Sequence, residues 1–234
     1  MKNFLLLSVL LGNSLSVTAQ VWEVLLETFL IDGFWYTMIE SPEEPKWHET
    51  TFASYPYDLR ENGLFLPPDL EGDQSRVNIN LHFQNDESNI SGIFGRIKYS
   101  PISLLTLETS RLQYFDSGKP DDTENVNLTS ASLIYNRLRH HKIHAWWGIG
   151  GLWLDADENA GSFSFNAGAN YFFKDPISLY GEAIFAGLND EFAALVQARI
   201  QVHLRRYLFY GGYHHTNIGV INIGSWIIGG GVYF

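Results

Sequence analysis

The chain has 234 residues, no cysteine and a formal net charge of −11. The lack of thiols excludes a disulfide framework, a lipidated N-terminal cysteine and thiolate chemistry, and the acidic balance argues against a surface that holds nucleic-acid phosphates. Hydrophobic residues make up 45% of the chain, yet no run of about 18 apolar residues occurs, so membrane helices are excluded. Strands that meet lipid only at every second residue are not.

Residues 1–19 carry Lys2, an apolar run from Phe4 to Leu11 and the small-residue site Val17-Thr18-Ala19. This is the pattern of a secretory signal peptide with its cut at Ala19/Gln20, and the apolar core is too short to span a bilayer. Residues 20–75 read as an N-terminal extension. Within it Val21, Trp22, Leu25, Leu26, Phe29 and Leu30 share one side of a helix, with Glu23 and Glu27 on the other and Gly33 as its break. Turn chemistry follows in Ser41-Pro42-Glu43-Glu44-Pro45. The stretch from Trp47 to Phe65 has room for one or two strands, against which Pro56, Pro67 and Pro68 count.

Residues 76–234 are different. Val77, Ile79, Leu81 and Phe83 alternate with Asn78, Asn80, His82 and Gln84, and Ile93, Ile97 and Tyr99 alternate with Phe94, Arg96 and Lys98. Period-two alternation of this kind predicts strands with one apolar and one wet side. From Ile102 to Tyr114 and from Val126 to Leu138 the phase is mixed. Glu108 and Arg111 fall on opposite parities there, which predicts a bulge between them. The second half restores the pattern, with Phe163, Phe165, Ala167, Tyr171 and Phe173 opposing Ser162, Ser164, Asn166 and Asn170. Leu179, Ala183 and Phe185 oppose Tyr180 and Glu182, and Val196, Ile200 and Val202 oppose Gln197, Arg199, Gln201 and His203. About ten strands result, with eight or twelve left open. Short connections (Ser100-Pro101, Arg139 to Lys142, Lys174-Asp175-Pro176, Arg205-Arg206) interleave with acidic, mostly longer ones (Asn85 to Ser88, Asp116 to Asn125, Asp155 to Ala160, Asn189-Asp190-Glu191).

The last stretch, Gly219 to Phe234, presents Val220, Trp226, Ile228, Val232 and Phe234 on one side and stops on an aromatic residue. Here the chain resembles bacterial outer-membrane β-barrels, whose final strand commonly ends in Phe after apolar residues at every second position. The resemblance implies an all-β antiparallel transmembrane barrel with short periplasmic turns and longer external loops. It further implies a periplasmic place for residues 20–75, outer-membrane lipid as the surrounding medium, and barrel-assembly machinery that reads the C-terminal strand. Apolar side chains such as Phe163, Phe165, Val196, Trp226 and Phe234 then face lipid. Arg96, Lys98, Glu108, Glu182, Arg199 and His203 line the lumen, where opposite signs are expected to pair around water. A soluble barrel would instead crowd Phe163, Phe165, Tyr171 and Phe173 into a narrow interior. Tyr99, Trp147, Trp153, Tyr207, Trp226 and Phe234 stand near strand ends, as interfacial aromatic girdles do.

His214-His215-Thr216-Asn217-Ile218-Gly219 resembles the His-x-Ser-Asn-x-Gly segment of outer-membrane lipid A deacylases, which implies His214 as base and Thr216 as nucleophile of a lipid-modifying acyl hydrolase. Thr stands where that family has Ser, and its acidic partner would fall on Ile228. A Thr hydroxyl needs an activating base and an orienting acid in reach. The ten-stranded outer-membrane aspartyl proteases are similar in size, but their Asp-x-His element is absent. His140-His141 and His214-His215 lie at opposite barrel ends and cannot share an ion, and the acidic groups Asp121-Asp122 and Asp155, Asp157 and Glu158 read as solvated loop tips. The expectation is a structural or interaction barrel, or a narrow porin-like channel, with no cofactor and no metal. The hydrolase is the alternative.

Overall fold

Strands with one apolar and one polar side leave their edges unpaired unless the sheet closes. In the computed structural model it closes. The structure describes residues 50–58, 63–66, 70–86, 90–116, 126–156, 159–188, 191–219 and 221–234. The expected signal peptide, the amphipathic helix and the acidic tips at 121–122 and 157–158 lie outside the described residues. Two short strands, β1 (Thr51–Phe52) and β2 (Phe65–Leu66), pair with each other. Ten long strands follow: β3 (Arg76–Asp86), β4 (Ile90–Ile102), β5 (Leu105–Asp116), β6 (Val126–Arg139), β7 (Ile143–Asp155), β8 (Ala160–Lys174), β9 (Ile177–Leu188), β10 (Glu191–Leu204), β11 (Tyr207–Ile218) and β12 (Ile221–Tyr233). They form one closed antiparallel barrel in chain order, so ten replaces the open choice of eight or twelve. β12 meets β3 with Val232 opposite Ile79 and Ile228 opposite Phe83. Because the strand number is even, Arg76 and Phe234 share one end of the barrel, called the entry end below.

Adjacent residues decide which face is which. Phe163 is 66% exposed and Ser164 1%, and Ile200 is 58% exposed and Gln201 1%. The outside therefore carries the apolar set, with Val196, Trp226 and Phe234 all exposed there. Phe165 shares that face, half-buried because its ring stacks on Trp147 at 6.4 Å. The girdle aromatics also point outward, Tyr99, Tyr207 and Phe234 toward the entry end and Trp153 and Trp226 toward the far end.

Two local expectations are corrected. No bulge separates Glu108 from Arg111, because β5 pairs β6 in unbroken register from Leu105 opposite Tyr135 to Tyr114 opposite Val126. Glu108 points inward and Arg111 outward, the latter donating from Nη2 to Asn127 Oδ1 at 3.2 Å. Nor does the chain turn at Ser100-Pro101. β4 runs on to Ile102 and turns at Ser103-Leu104, and Pro101 is accommodated where the register with β5 shifts between Tyr99 and Ile102. Similar shifts fall at Tyr135/Leu138 and Phe172/Lys174, all toward the entry end. The β11–β12 turn needs the left-handed backbone at Gly219 (φ 54°), which glycine adopts without strain.

Candidate functional site

The inward residues fill the barrel in layers set by their position along each strand. At the far end the layer is apolar: Phe94, Leu112, Leu128, Leu152, Ile184, Leu188, Leu195 and Ile218 pack together, with the ring of Tyr114 among them. The sequence reading of the interior concerned its ions, as a salt-bridged plug or a narrow pore, and did not foresee this apolar layer. The far half of the interior thus holds a cluster of buried apolar side chains with a few buried polar ones among them, Gln84, His214 and Thr216, while the charged side chains lie on the entry side of it.

His214 and Thr216 belong to that far layer. Both are buried and point inward, while His215 takes the opposite face. His214 Nδ1 shares a hydrogen bond with Gln84 Oε1 at 3.1 Å, and the Thr216 hydroxyl shares one with the Tyr114 hydroxyl at 2.8 Å. Base and hydroxyl are thus engaged with different partners. Ile228 points outward and is 71% exposed, so the position that would hold an orienting acid is on the other side of the barrel wall from both.

Beneath the apolar layer lies an ionic one. Arg96 Nη2 is 2.6 Å from Glu182 Oε2, and its Nε is 3.7 Å from Glu108 Oε1. Lys98 Nζ reaches Glu108 Oε2 at 2.7 Å. Arg96 also donates to the Tyr180 hydroxyl at 2.8 Å, and Gln197 Nε2 donates to Glu182 at 3.1 Å. Removing these charges from water is expensive, and only such close pairing with further hydrogen bonds offsets the loss. Arg199 joins by a different route from the expected ion pairing. Its guanidinium lies 4.0 Å from the Tyr180 ring centre and 4.2 Å from that of Tyr210, a double cation–π contact. The Gln201 amide oxygen, turned toward it, accepts from Nε at 2.7 Å and Nη2 at 3.1 Å. His203 lies nearer the entry end, its Nε2 2.8 Å from the Ser178 hydroxyl.

The entry end is capped by residues 50–58 and 63–66. Phe52 of β1 lies under the Arg76 guanidinium at 4.9 Å, Phe65 of β2 meets His144 edge-on at 4.9 Å, and Tyr57 packs edge-on against Phe172 and His203, each at 5.8 Å. The Tyr57 hydroxyl donates to the Ile177 carbonyl, Arg139 Nε to Thr50 Oγ1 at 3.2 Å and Gly63 N to the His141 carbonyl at 2.6 Å. Among the described residues cavities remain in the interior at two levels. One of about 70 Å³ lies between the cap and the ionic layer, and one of about 20 Å³ lies between the ionic and apolar layers. Among the described residues no three His, Cys, Asp or Glu side chains converge as a metal site would need. The His140 and His141 rings lie 3.9 Å apart in the β6–β7 turn, at the opposite end from His214 and His215.

Sequence reading missed Tyr180, Tyr210 and Trp146 as partners of the interior cations, and it missed the cap. The available signal was their inward parity: Tyr180 alternates with Leu179, and Trp146 with Trp147. For the apolar layer the signal was loss of alternation, as in Leu152-Trp153-Leu154 and Ala194-Leu195-Val196, since strands buried on both faces read as continuous apolar runs.

No family model matches the chain, and no curated protein matches it. Among solved structures it is similar to the N-terminal β-barrel domain of Pseudomonas aeruginosa OprF, at 16% identity over 69% of this chain and 98% of that one, with a TM-score of 0.37. The outer membrane protein OprG of the same organism aligns at 10% identity over 69% of this chain and 96% of that one, with a TM-score of 0.37. Ail, the attachment invasion locus protein of Yersinia pestis, aligns at 13% identity over 68% and 96%, with a TM-score of 0.31. Similarity of this degree bears on the fold alone and carries no activity across.

Proposed function

We propose that the protein is an integral outer-membrane barrel with a structural or interaction role, its interior a packed core and not a conduit. The observation that carries this is the apolar layer formed by Phe94, Leu112, Leu128, Leu152, Ile184 and Leu195 across the far half of the interior. Ions would have to cross it after leaving hydration behind, which a low-dielectric layer strongly opposes. The outer face supports membrane insertion. Its exposed side chains include Leu81, Phe163, Phe173, Ile200 and Ile228, on a sheet with every strand paired. Outer-membrane lipid contacts that face, and the barrel-assembly machinery reads β12. The entry end with its cap faces the periplasm, leaving the far-end loops as the surface offered to the outside.

Purified protein reconstituted in a planar bilayer is expected to give no discrete conductance steps. Replacing Leu112, Leu128 and Leu152 together by Ser is expected to create them, with unboiled-gel mobility confirming that the variant remains a folded barrel. Regular steps from the unaltered protein would overturn the reading in favour of a channel. Cell fractionation should place the chain with the outer membrane.

A further inference from the structure

We infer that the entry half of the barrel binds a compact inorganic anion in the cavity bordered by Arg76, Lys98 and Arg199. Among the described residues Arg76, Arg96, Lys98 and Arg199 project into the interior above the cap, with Arg139 buried at its rim, against the carboxylates of Glu108 and Glu182. Both carboxylates are taken up on one side of this array, Glu182 by Arg96 and Glu108 by Lys98 and Arg96. Arg76 and Arg199 have aromatic rings and neutral acceptors as partners instead: Phe52, Tyr233 and the Leu64 carbonyl for Arg76, and Tyr180, Tyr210 and Gln201 for Arg199. Asp73 acts on Arg76 from the exposed side of the cap without pairing to it. Uncompensated charge buried in a low-dielectric interior favours a counter-ion.

The cavity between these residues meets that need. Its volume of about 70 Å³ is bordered, among the described residues, by three cations and by no carboxylate. A single water takes roughly 10–15 Å³ on the same measure, so the space suits one compact anion with some residual hydration and is too small for a sugar phosphate. The hydrogen-bonding chemistry of the lining also points to an anion. Arg76 Nη2, Arg199 Nη1 and Trp146 Nε1 are buried donors with no acceptor in the protein, against one such acceptor among the lining residues, Asn170 Oδ1. The two guanidinium groups are more than nine-tenths buried. Arg199 is held between two tyrosine rings with its other two nitrogens on Gln201, which leaves Nη1 as its remaining donor. Phe52, Leu64 and Phe65 of the cap close the cavity toward the entry end.

The test uses the full mature protein in detergent with bromide as probe. Crystals grown in sodium bromide are expected to show an anomalous peak in this cavity, in contact with Arg199 and Arg76. Thermal unfolding followed at fixed ionic strength, with bromide replacing gluconate, is expected to give a saturable rise in midpoint. Arg199→Gln should weaken bromide by about tenfold or more, the scale of one lost charge-assisted hydrogen bond, and Arg76→Gln serves if that variant fails to fold. Added inorganic phosphate that displaces bromide would identify an oxyanion as the preferred occupant, and failure to displace it a halide. Absence of the anomalous peak, or a saturable rise left unchanged in the variant, would overturn the inference.

Discussion

Glu108 is the residue on which the ionic layer turns, since it faces Arg96 at 3.7 Å and Lys98 at 2.7 Å with its own side chain fully buried. Removing one partner from a buried pair leaves the other charge without compensation and costs about 3–5 kcal/mol. Glu108→Gln is therefore expected to lower unfolding free energy by that order, read from equilibrium urea unfolding in lipid vesicles. Arg111 presents the opposite case. It points outward beside Thr109, Gln113, Asn127 and Thr129, and in the proposed membrane setting an outward Arg costs about 2–4 kcal/mol at the bilayer midplane and about 0–1 near the interfaces. Arg111→Leu should stabilise the barrel in the same measurement, by about 1–2 kcal/mol at its position in the far half of β5. An unchanged or lowered stability would mean that this patch contacts something other than acyl chains.

At the scale of elements, the β1–β2 cap depends on close approach to the barrel rim. A Cβ built on Gly63 would come within 2.3 Å of the Phe172 ring, the side chain against which Tyr57 also packs. Gly63→Val thus has to push the cap away. Overpacking of this kind costs about 1–3 kcal/mol, which raises local opening by about tenfold or more. Limited proteolysis should then cut within residues 50–66 at a correspondingly higher rate while the ten barrel strands stay protected. Equal cleavage rates in variant and parent would show that the cap does not depend on this contact. The three register shifts lie toward the same end as the cap, between Tyr99 and Ile102, Tyr135 and Leu138, and Phe172 and Lys174, and the outward side chains there stay apolar.

The molecule as a whole carries its closure in ten antiparallel ladders with no free edge. Such a barrel has no strand from which fraying begins, and its opening requires breaking a whole ladder at once. In dodecyl sulfate the unboiled protein is expected to migrate apart from the boiled one, and a single band at both temperatures would contradict a closed membrane barrel. Charge asymmetry acts at this scale too. The chain is acidic by −11 overall, yet the residues projecting into the entry half of the interior are cationic in excess, so the negative groups lie elsewhere.

Much of this was legible in the sequence for one physical reason. A strand's side chains alternate, so Val77 to Gln84 or Phe163 to Asn170 declare two faces of opposite chemistry without reference to any neighbour. Parity gave the strands and set Arg96, Glu182 and Arg199 on the face opposite Phe163 and Trp226, and which face turned inward rested on the further argument that so many large aromatic side chains crowd a narrow lumen. Parity does not say what stands across a lumen. Tyr180 and Tyr210 flank Arg199 from β9 and β11, the two strands paired with β10, because register sets them at its height, and Arg96 of β4 reaches Glu182 of β9 across the barrel because the closed sheet faces itself. For Leu112, Leu128 and Leu152 the sequence showed only apolar residues whose parity matched the charged ones. The layering of a mainly apolar far half above an ionic middle was decided by strand tilt and register, which place residues of equal height from different strands in one cross-section.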